Sequence, residues 1–373
     1  MNASRPAWAT VDLSAIASNA RLLLDYAGAG SQLCAVVKAD AYGHGAVEVA
    51  KAALSGGAST LAVALVSEGI ALRQAGLAAP ILVLGGVSAD EAEAALAADL
   101  EASVFDEAAI EAFDRAGRRA PRRARLHLKI DTGMTRIGCQ PAEAAALAGK
   151  IASLPGTGLA GVYTHFASAD SADLGFAREQ LARYHDALAA IRAAGVVVPL
   201  RHAANSAATL WFPESRLDMV RAGIALYGLA PDAGRDFDHR FRPALSIHAR
   251  VTRVRTVEAG TTVSYGQTWT AGRRTRIATI PLGYADGYPR AASGRTWAGF
   301  GERRLPQVGR ICMDIAMFDA TGAPELKEGD EVILAGHGGP GLDEIAGLAG
   351  TINYEIACHA ALRLPRVYRN ASG

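Results

Sequence analysis

The chain has 373 residues, half of them hydrophobic and 20% charged, with a mean hydropathy of +0.13; this is a globular composition with room for two domains, and it excludes general disorder. Lysine and arginine total 38 against 37 aspartate and glutamate, so no net field draws nucleic acid or an anionic membrane, and a small molecule is the expected partner. Cys34, Cys139, Cys312 and Cys358 stand far apart, with no CxxC pair and no neighbouring Cys/His cluster, which argues against a disulfide scaffold or a structural metal site.

The N-terminal MNASRPAWATVD lacks a basic stretch followed by an apolar run, and no later window is apolar enough to span a bilayer. The expectation is a cytoplasmic protein. From residue 32 to residue 218, short β-branched runs alternate with Ala/Leu/Glu segments of helical period. The expected strands are QLCAVVK (32–38), TLAVAL (60–65), PILVLG (80–85), EASVF (101–105), ARLHLKI (124–130), LAGVYTH (159–165), LRHAAN (200–205) and RLDMVR (216–221). Eight β/α units predict an α/β fold with a (β/α)8 barrel, and a doubly wound open sheet is the competing arrangement. After residue 240 the texture changes to strand-like runs separated by Gly and Pro turns. The expected division is a barrel at 1–240 and a mostly β domain at 241–373.

In such a barrel the site lies at the C-terminal ends of the strands. Strand one ends in Lys38, strand five in Lys129 with Arg136 just beyond, and strand six in Thr164 and His165. Strand seven supplies Asn205 and Ser206, and strand eight Arg221, Gly223 and Ile224. Loops after strands seven and eight are the usual phosphate cradle of this fold, and Ser206, Gly223 and Ile224 suit it, although Ser206 alone could be a plain helix cap. Only five of the 38 basic residues are lysine, so a lysine at a strand end invites a role for its amine, against the plainer reading of an ion-pairing side chain. A primary amine facing a phosphate site points to pyridoxal phosphate, whose aldehyde arginine cannot engage.

The segments AVVKADAYGHGA, HLKIDTGMTRIG, THFASAD, ANSAA, VRAGIALYG, VSYGQTW, GYADGYPR and VGRICMD together resemble bacterial alanine racemases over essentially the whole chain. The resemblance implies a (β/α)8 barrel followed by a β domain, and a homodimer whose active sites combine both subunits. It implies that L- and D-alanine interconvert by two-base proton transfer on a pyridoxal phosphate aldimine, supplying D-alanine for peptidoglycan. Lys38 would hold the cofactor and act as one base, with Tyr265 of the other subunit as the opposite base. Arg221 would face the pyridine nitrogen with His165 in support, and Tyr42, Ser206, Tyr354 and the backbones of Gly223 and Ile224 would bind the phosphate. Arg136 and the Met313 N–H would receive the substrate carboxylate, with Asp314 supporting. Lys129 matches a position often carbamylated in the family, an unmodified ion-paired lysine being the alternative. Asp170, Tyr284, Arg290, Arg310 and Ile352 match a narrow gate for small amino acids.

Two signals carry little weight. GHGGPG (336–341) fits a dinucleotide fingerprint only in letters, because too little chain follows for a βαβ unit. The basic run at 114–125 lacks interleaved aromatics and reads as a solvated helix end. The competing functions are a cofactor-binding regulator without turnover, an amino-acid decarboxylase of the same architecture, and a racemase of broader specificity.

Overall fold

Eight of the apolar runs form one parallel sheet. The computed structural model describes residues 6–360 and 363–370, so residues 1–5, part of the segment read above for a leader, lie outside it. The strands are Gln32–Val36, Thr60–Val63, Ile81–Val83, Glu101–Val104, Ala124–Lys129, Thr157–Tyr163, Arg201–His202 and Met219–Ala222, and the eighth pairs back onto the first. The seam between the seventh and eighth is closed by backbone hydrogen bonds from Asp218 to Arg201 at 3.1 Å and from Arg221 to Ala204 at 2.9 Å. This is the (β/α)8 barrel expected from the sequence. Parallel strands covered on both faces need apolar side chains at successive positions, and Leu61, Ala62, Val63, Ile81, Leu82 and Val83 are all fully buried.

Local signals start the outer helices. Asp12 caps Leu13–Ala27 by accepting from Ala15 N at 2.9 Å, and Asp106 caps Glu107–Arg119 by accepting from Ala109 N at 2.8 Å. Within the second helix Ala109, Ile110, Phe113 and Ala116 fall on one face and are buried.

The second half of the chain forms a nine-stranded sheet. Its order is Arg253–Val257, Thr275–Ile280, Ala316–Asp319, Arg303–Val308, Trp297–Phe300, Glu331–Ala335, Leu245–Arg250, Ala7–Asp12 and Arg366–Arg369. The strand Ala7–Asp12 thus departs from the division drawn at residue 240. It runs antiparallel to Leu245–Arg250 and parallel to Arg366–Arg369, so the chain begins in the β domain before entering the barrel. Its alternating pattern, with Ala7, Ala9 and Val11 buried, predicts a half-covered strand but carries no information about which distant strand completes it.

The two halves meet at Asn19 on the first helix. Its fully buried amide donates to Leu226 O at 3.0 Å and Arg242 O at 2.9 Å, and its carbonyl accepts from Arg242 N at 2.9 Å. Gly228 turns the chain there at φ +73°, where a Cβ would lie 2.0 Å from Arg242 O, so only glycine fits. Among the described residues no helix is long and apolar enough to cross a membrane, and no cluster of His, Cys, Asp and Glu could hold a metal. Asn19→Ala removes the partners of two carbonyls and one N–H at this junction, and the expected loss is roughly 2–4 kcal/mol. Denaturant unfolding checks this, and an unchanged midpoint would show that the junction is held elsewhere.

Candidate active site

Lys38 stands one residue beyond the first barrel strand, after Val37, and opens a turn of unusual hand. Ala39, Asp40, Ala41 and Tyr42 have φ of 51°, 52°, 55° and 52°, four left-handed residues in succession, each costing about 1–2 kcal/mol. Surrounding groups hold the turn. Glu68 accepts from Ala39 N at 2.7 Å, and Asp40 accepts from Ala46 N at 2.8 Å. Arg366, from the last strand of the β domain, pairs with Asp40 at 2.8 Å and donates to Gly43 O at 2.8 Å. The turn brings Tyr42 back over the barrel mouth, its ring centroid 4.9 Å from that of Tyr227 and 6.1 Å from that of Tyr354.

A cavity of about 640 Å³ opens at the C-terminal ends of the barrel strands. It brings together Lys38, Tyr42, Lys129, Arg136, His165, Ser206, Arg221, Gly223, Ile224 and Tyr354, ten of the residues singled out from the sequence. Arg221 is buried at its floor. One guanidinium nitrogen meets His202 Nδ1 at 3.0 Å, and the other donates to Thr164 O at 2.8 Å and Ala203 O at 3.0 Å and lies 3.3 Å from His165 Nδ1. Burial, with Arg221 and Arg136 close by, pushes the His165 pKa far below the usual imidazole range, so the ring is neutral.

Lys129 is 4% exposed, with its amine 5.4 Å from the Tyr163 ring centre and no hydrogen-bond or ion-pair partner among the described residues. Burial, together with Arg136, Arg221 and Lys38, lowers its pKa to about 7. Burial and then Arg136 lower that of Lys38 as well. Arg136 is exposed at the rim and unpaired among the described residues.

Opposite, Ser206 begins the short helix Ser206–Trp211, whose cap is Asn205 rather than Ser206 itself: Asn205 Oδ1 accepts from Ala208 N at 2.9 Å. Ser206 Oγ is left to accept from Gly223 N at 2.9 Å. A Cβ on Gly223 would lie 2.5 Å from the Tyr42 hydroxyl. The absent side chain therefore leaves that hydroxyl room beside Gly223, in the cavity whose wall also includes Ser206 and Tyr354.

The remaining candidates divide. Ile352 precedes the helix Asn353–His359 that carries Tyr354, and Asp170 adds to the burial that raises the Tyr354 phenol pKa. Tyr265, Met313 and Asp314 lie instead in a second, open cavity of about 480 Å³ on the β domain. Tyr265 is 72% and Met313 53% exposed. Ser264, Gly266 and Gln267 around Tyr265 have φ of 68°, 71° and 52°, and Ser264 Oγ ties the turn to Arg310 O at 2.7 Å. Tyr284 N donates to Cys312 O at 3.0 Å, Ser293 links Arg290 O to Ile311 N, and Arg363 joins Asp314 at 2.6 Å to Asp286 at 2.9 Å. The candidate residues of one chain thus line two separate cavities.

The sequence reading does not single out Tyr163, Cys358, His127, His202 or Glu68. Cys358 lines the cavity with its pKa raised by burial, and Tyr163 lies beneath both Lys129 and Arg221. A signal existed for one of them. His127 and Lys129 are two apart on one strand and share a face.

Comparison with known proteins agrees with this geometry. The family model for the alanine racemase N-terminal domain matches residues 11–231, and that for the alanine racemase C-terminal domain matches residues 244–368. The chain is 48% identical over 371 residues to the alanine racemase of Symbiobacterium thermophilum, covering 99% of this chain and 98% of that one. It is 44% identical to that of Desulfovibrio desulfuricans, covering 98% of each. Among solved structures, the alanine racemase of D-cycloserine-producing Streptomyces lavendulae superposes with a TM-score of 0.92 at 37% identity, over 100% of this chain and 99% of that one. That of Bacillus anthracis with bound L-Ala-P gives 0.91 at 35%, over 100% and 97%. Two consecutive family models, whole-length relatives and a shared two-domain fold together establish that this chain belongs to the alanine racemase family.

Proposed function

We propose that this chain interconverts L-alanine and D-alanine by two-base proton transfer, with pyridoxal 5'-phosphate held in the barrel cavity and the active sites shared within a homodimer. The observation that carries the reading is one chamber in which the Lys38 amine shares space with three hydroxyls, of Tyr42, Ser206 and Tyr354, and with the buried Arg221. This donor set fits the cofactor. An aldehyde needs an amine, a phosphate needs hydroxyl and N–H donors, and a pyridine nitrogen needs a donor in its plane. When bound, the cofactor supplies an electron sink for charge developing on the substrate α-carbon.

Lys38 anchors the cofactor through Nζ and exchanges a proton with one face of the α-carbon. Its lowered pKa makes the neutral amine available closer to neutrality. Tyr265 from a second copy exchanges the proton on the opposite face, since a lone base returns its proton to the face it left. Arg221 only donates and holds its proton firmly. It therefore offers the ring nitrogen a hydrogen bond without protonating it, which limits charge withdrawal and discourages side reactions. His165 steadies Arg221, and Tyr42, Ser206, Tyr354 and the backbones of Gly223 and Ile224 hold the phosphate. Arg136 and the Met313 N–H of the second copy receive the substrate carboxylate. Asp314, through Arg363, fixes the Met313 turn, and Asp170, Tyr284, Arg290, Arg310 and Ile352 frame the gate.

Dimerisation is supported by the exposed Tyr265, Met313, Ile315, Tyr284 and Ile352, a set of apolar side chains unusual on a free surface. Carbamylation of Lys129 is supported by a buried amine surrounded by cations, because taking up carbon dioxide replaces one more positive charge with an anion beside Arg136. Cysteines that are all free suit the cytoplasm, and the D-alanine made there would serve peptidoglycan synthesis.

Incubation with L-alanine in D₂O is expected to yield D-alanine carrying deuterium at the α-carbon, and deuteration without inversion would remove Tyr265 from its role. Lys38→Ala and Tyr265→Phe are each expected to lose activity, by about 10²-fold or more. An equal mixture of the two, reassembled, should recover about a quarter of wild-type activity, because half the dimers are mixed and each of those has one intact site of two. No recovery would mean that each subunit works alone. Carbon-13 bicarbonate should give a carbamate resonance that Lys129→Ala abolishes. Because only the neutral amine reacts, the signal should grow as pH rises through about 7 and fade below it; a signal independent of Lys129 would overturn the assignment.

A further inference from the structure

Among the described residues Arg221 has no carboxylate partner, yet a chain of hydrogen bonds leads from it through the barrel to one. Arg221 meets His202 Nδ1 at 3.0 Å, His202 Nε2 meets His127 Nδ1 at 3.0 Å, and His127 Nε2 meets Glu101 Oε2 at 2.9 Å. Glu101 begins the fourth barrel strand and His127 lies in the fifth. The chain therefore descends from the cavity towards the opposite end of the barrel. Arg125 reaches the other Glu101 oxygen at 3.1 Å.

The direction of every bond is fixed by its first member. A guanidinium can only donate, so His202 Nδ1 must accept, and the single proton of that ring must sit on Nε2. It is donated to His127 Nδ1, which leaves the proton of His127 on Nε2, donated in turn to Glu101. A protonated imidazole at either position would set two donors against each other. Burial first, then the charge of Arg221 and the proximity of His127, keep His202 neutral.

The surrounding packing is shaped to hold this alignment. Tyr163 stacks on the His202 ring at 4.7 Å with an interplanar angle of 5°. At Gly161 a Cβ would lie 2.6 Å from His127 Nδ1, so glycine there leaves the ring its place. We propose that Glu101, at the end of the barrel remote from the cavity, is the positioning residue for Arg221: as the final acceptor it anchors His127 and, through it, His202, so that the proton arrangement dictated by the guanidinium has a fixed end and the guanidinium is held in place. The inference rests on the reading of Arg221 as the cation facing the cofactor.

Neutron diffraction from the deuterium-exchanged wild-type enzyme tests the proton arrangement without reference to activity. Deuterium on Nε2 of both His127 and His202, and on neither Nδ1, is the expected result. Deuterium on His202 Nδ1 would overturn the proposal even if the enzyme racemises as described. Kinetics test the consequence. Glu101→Gln keeps an acceptor oxygen and should hold kcat within about twofold, whereas Glu101→Leu should lower kcat roughly tenfold with little change in KM for alanine. Equal kcat in the two variants would refute the role of Glu101. If Glu101→Leu does not fold, Gly161→Ala, which crowds His127 instead, carries the same expectation. Failure of the racemase reading would show itself separately, as wild-type enzyme that does not invert alanine.

Discussion

Four cationic side chains, Lys38, Lys129, Arg136 and Arg221, line one cavity, and among the described residues no carboxylate lines it with them. Burying charge without a partner costs several kcal/mol per ion, so this arrangement is the constraint the rest of the fold must satisfy. In the two lysines burial and the neighbouring cations loosen the hold on the proton, bringing the Lys129 amine down to a pKa of about 7 and lowering that of Lys38 as well. Arginine holds its proton firmly. Arg221 instead spreads its protons over two carbonyls and two imidazoles. On the proposed reading the remaining neutralisation comes from anions that arrive, namely a phosphate, a substrate carboxylate and a carbamate. A cavity poor in its own carboxylates is selective for exactly such groups in a physical sense, because each anion relieves repulsion that is already present.

The β domain serves the cavity through Arg366. Its strand, Arg366–Arg369, pairs with Ala7–Asp12, while its side chain holds Asp40 and Gly43 in the left-handed turn after Lys38. The first and last strands of the described chain therefore converge on the loop that follows the Lys38 amine. The strain of four consecutive left-handed residues is tolerable only while that clamp and Glu68 are in place.

The barrel was legible because parallel strands buried on both sides must be apolar without interruption. The seventh run, LRHAAN, was drawn as six residues, yet only Arg201–His202 join the sheet; the chain leaves the ladder early and the seam is closed by separate backbone bonds. The left-handed turn was not legible, because Ala39, Asp40 and Ala41 include no glycine to announce it, and tertiary contacts override their local preference. The cavity residues at strand ends followed from the architecture. Tyr265, Met313 and the gate residues could be named only through resemblance, since nothing in their own stretch of sequence distinguishes a base from an ordinary strand aromatic. The histidines below Arg221 are not marked by a strand-end position, although the alternation of a strand also points residues deeper in the barrel towards the same axis.

On the proposed reading, the division of the two bases between two copies follows from the demand of inversion itself. One group must take a proton from the carbon and another must return one to the opposite face. A (β/α)8 barrel supplies groups only from its own rim and floor, so it can furnish Lys38 but leaves the space above the mouth to whatever covers it. The Tyr265 turn is built for presentation rather than for packing: left-handed residues on both sides and the Ser264 bond to Arg310 O stiffen it, while the ring stands largely in solvent. A stiff turn carrying an exposed aromatic is costly on an isolated molecule and becomes useful when a second copy buries it. On the proposed reading, placing the two bases on different chains lets each be held by a rigid scaffold of its own, with the contact between copies setting the distance between them.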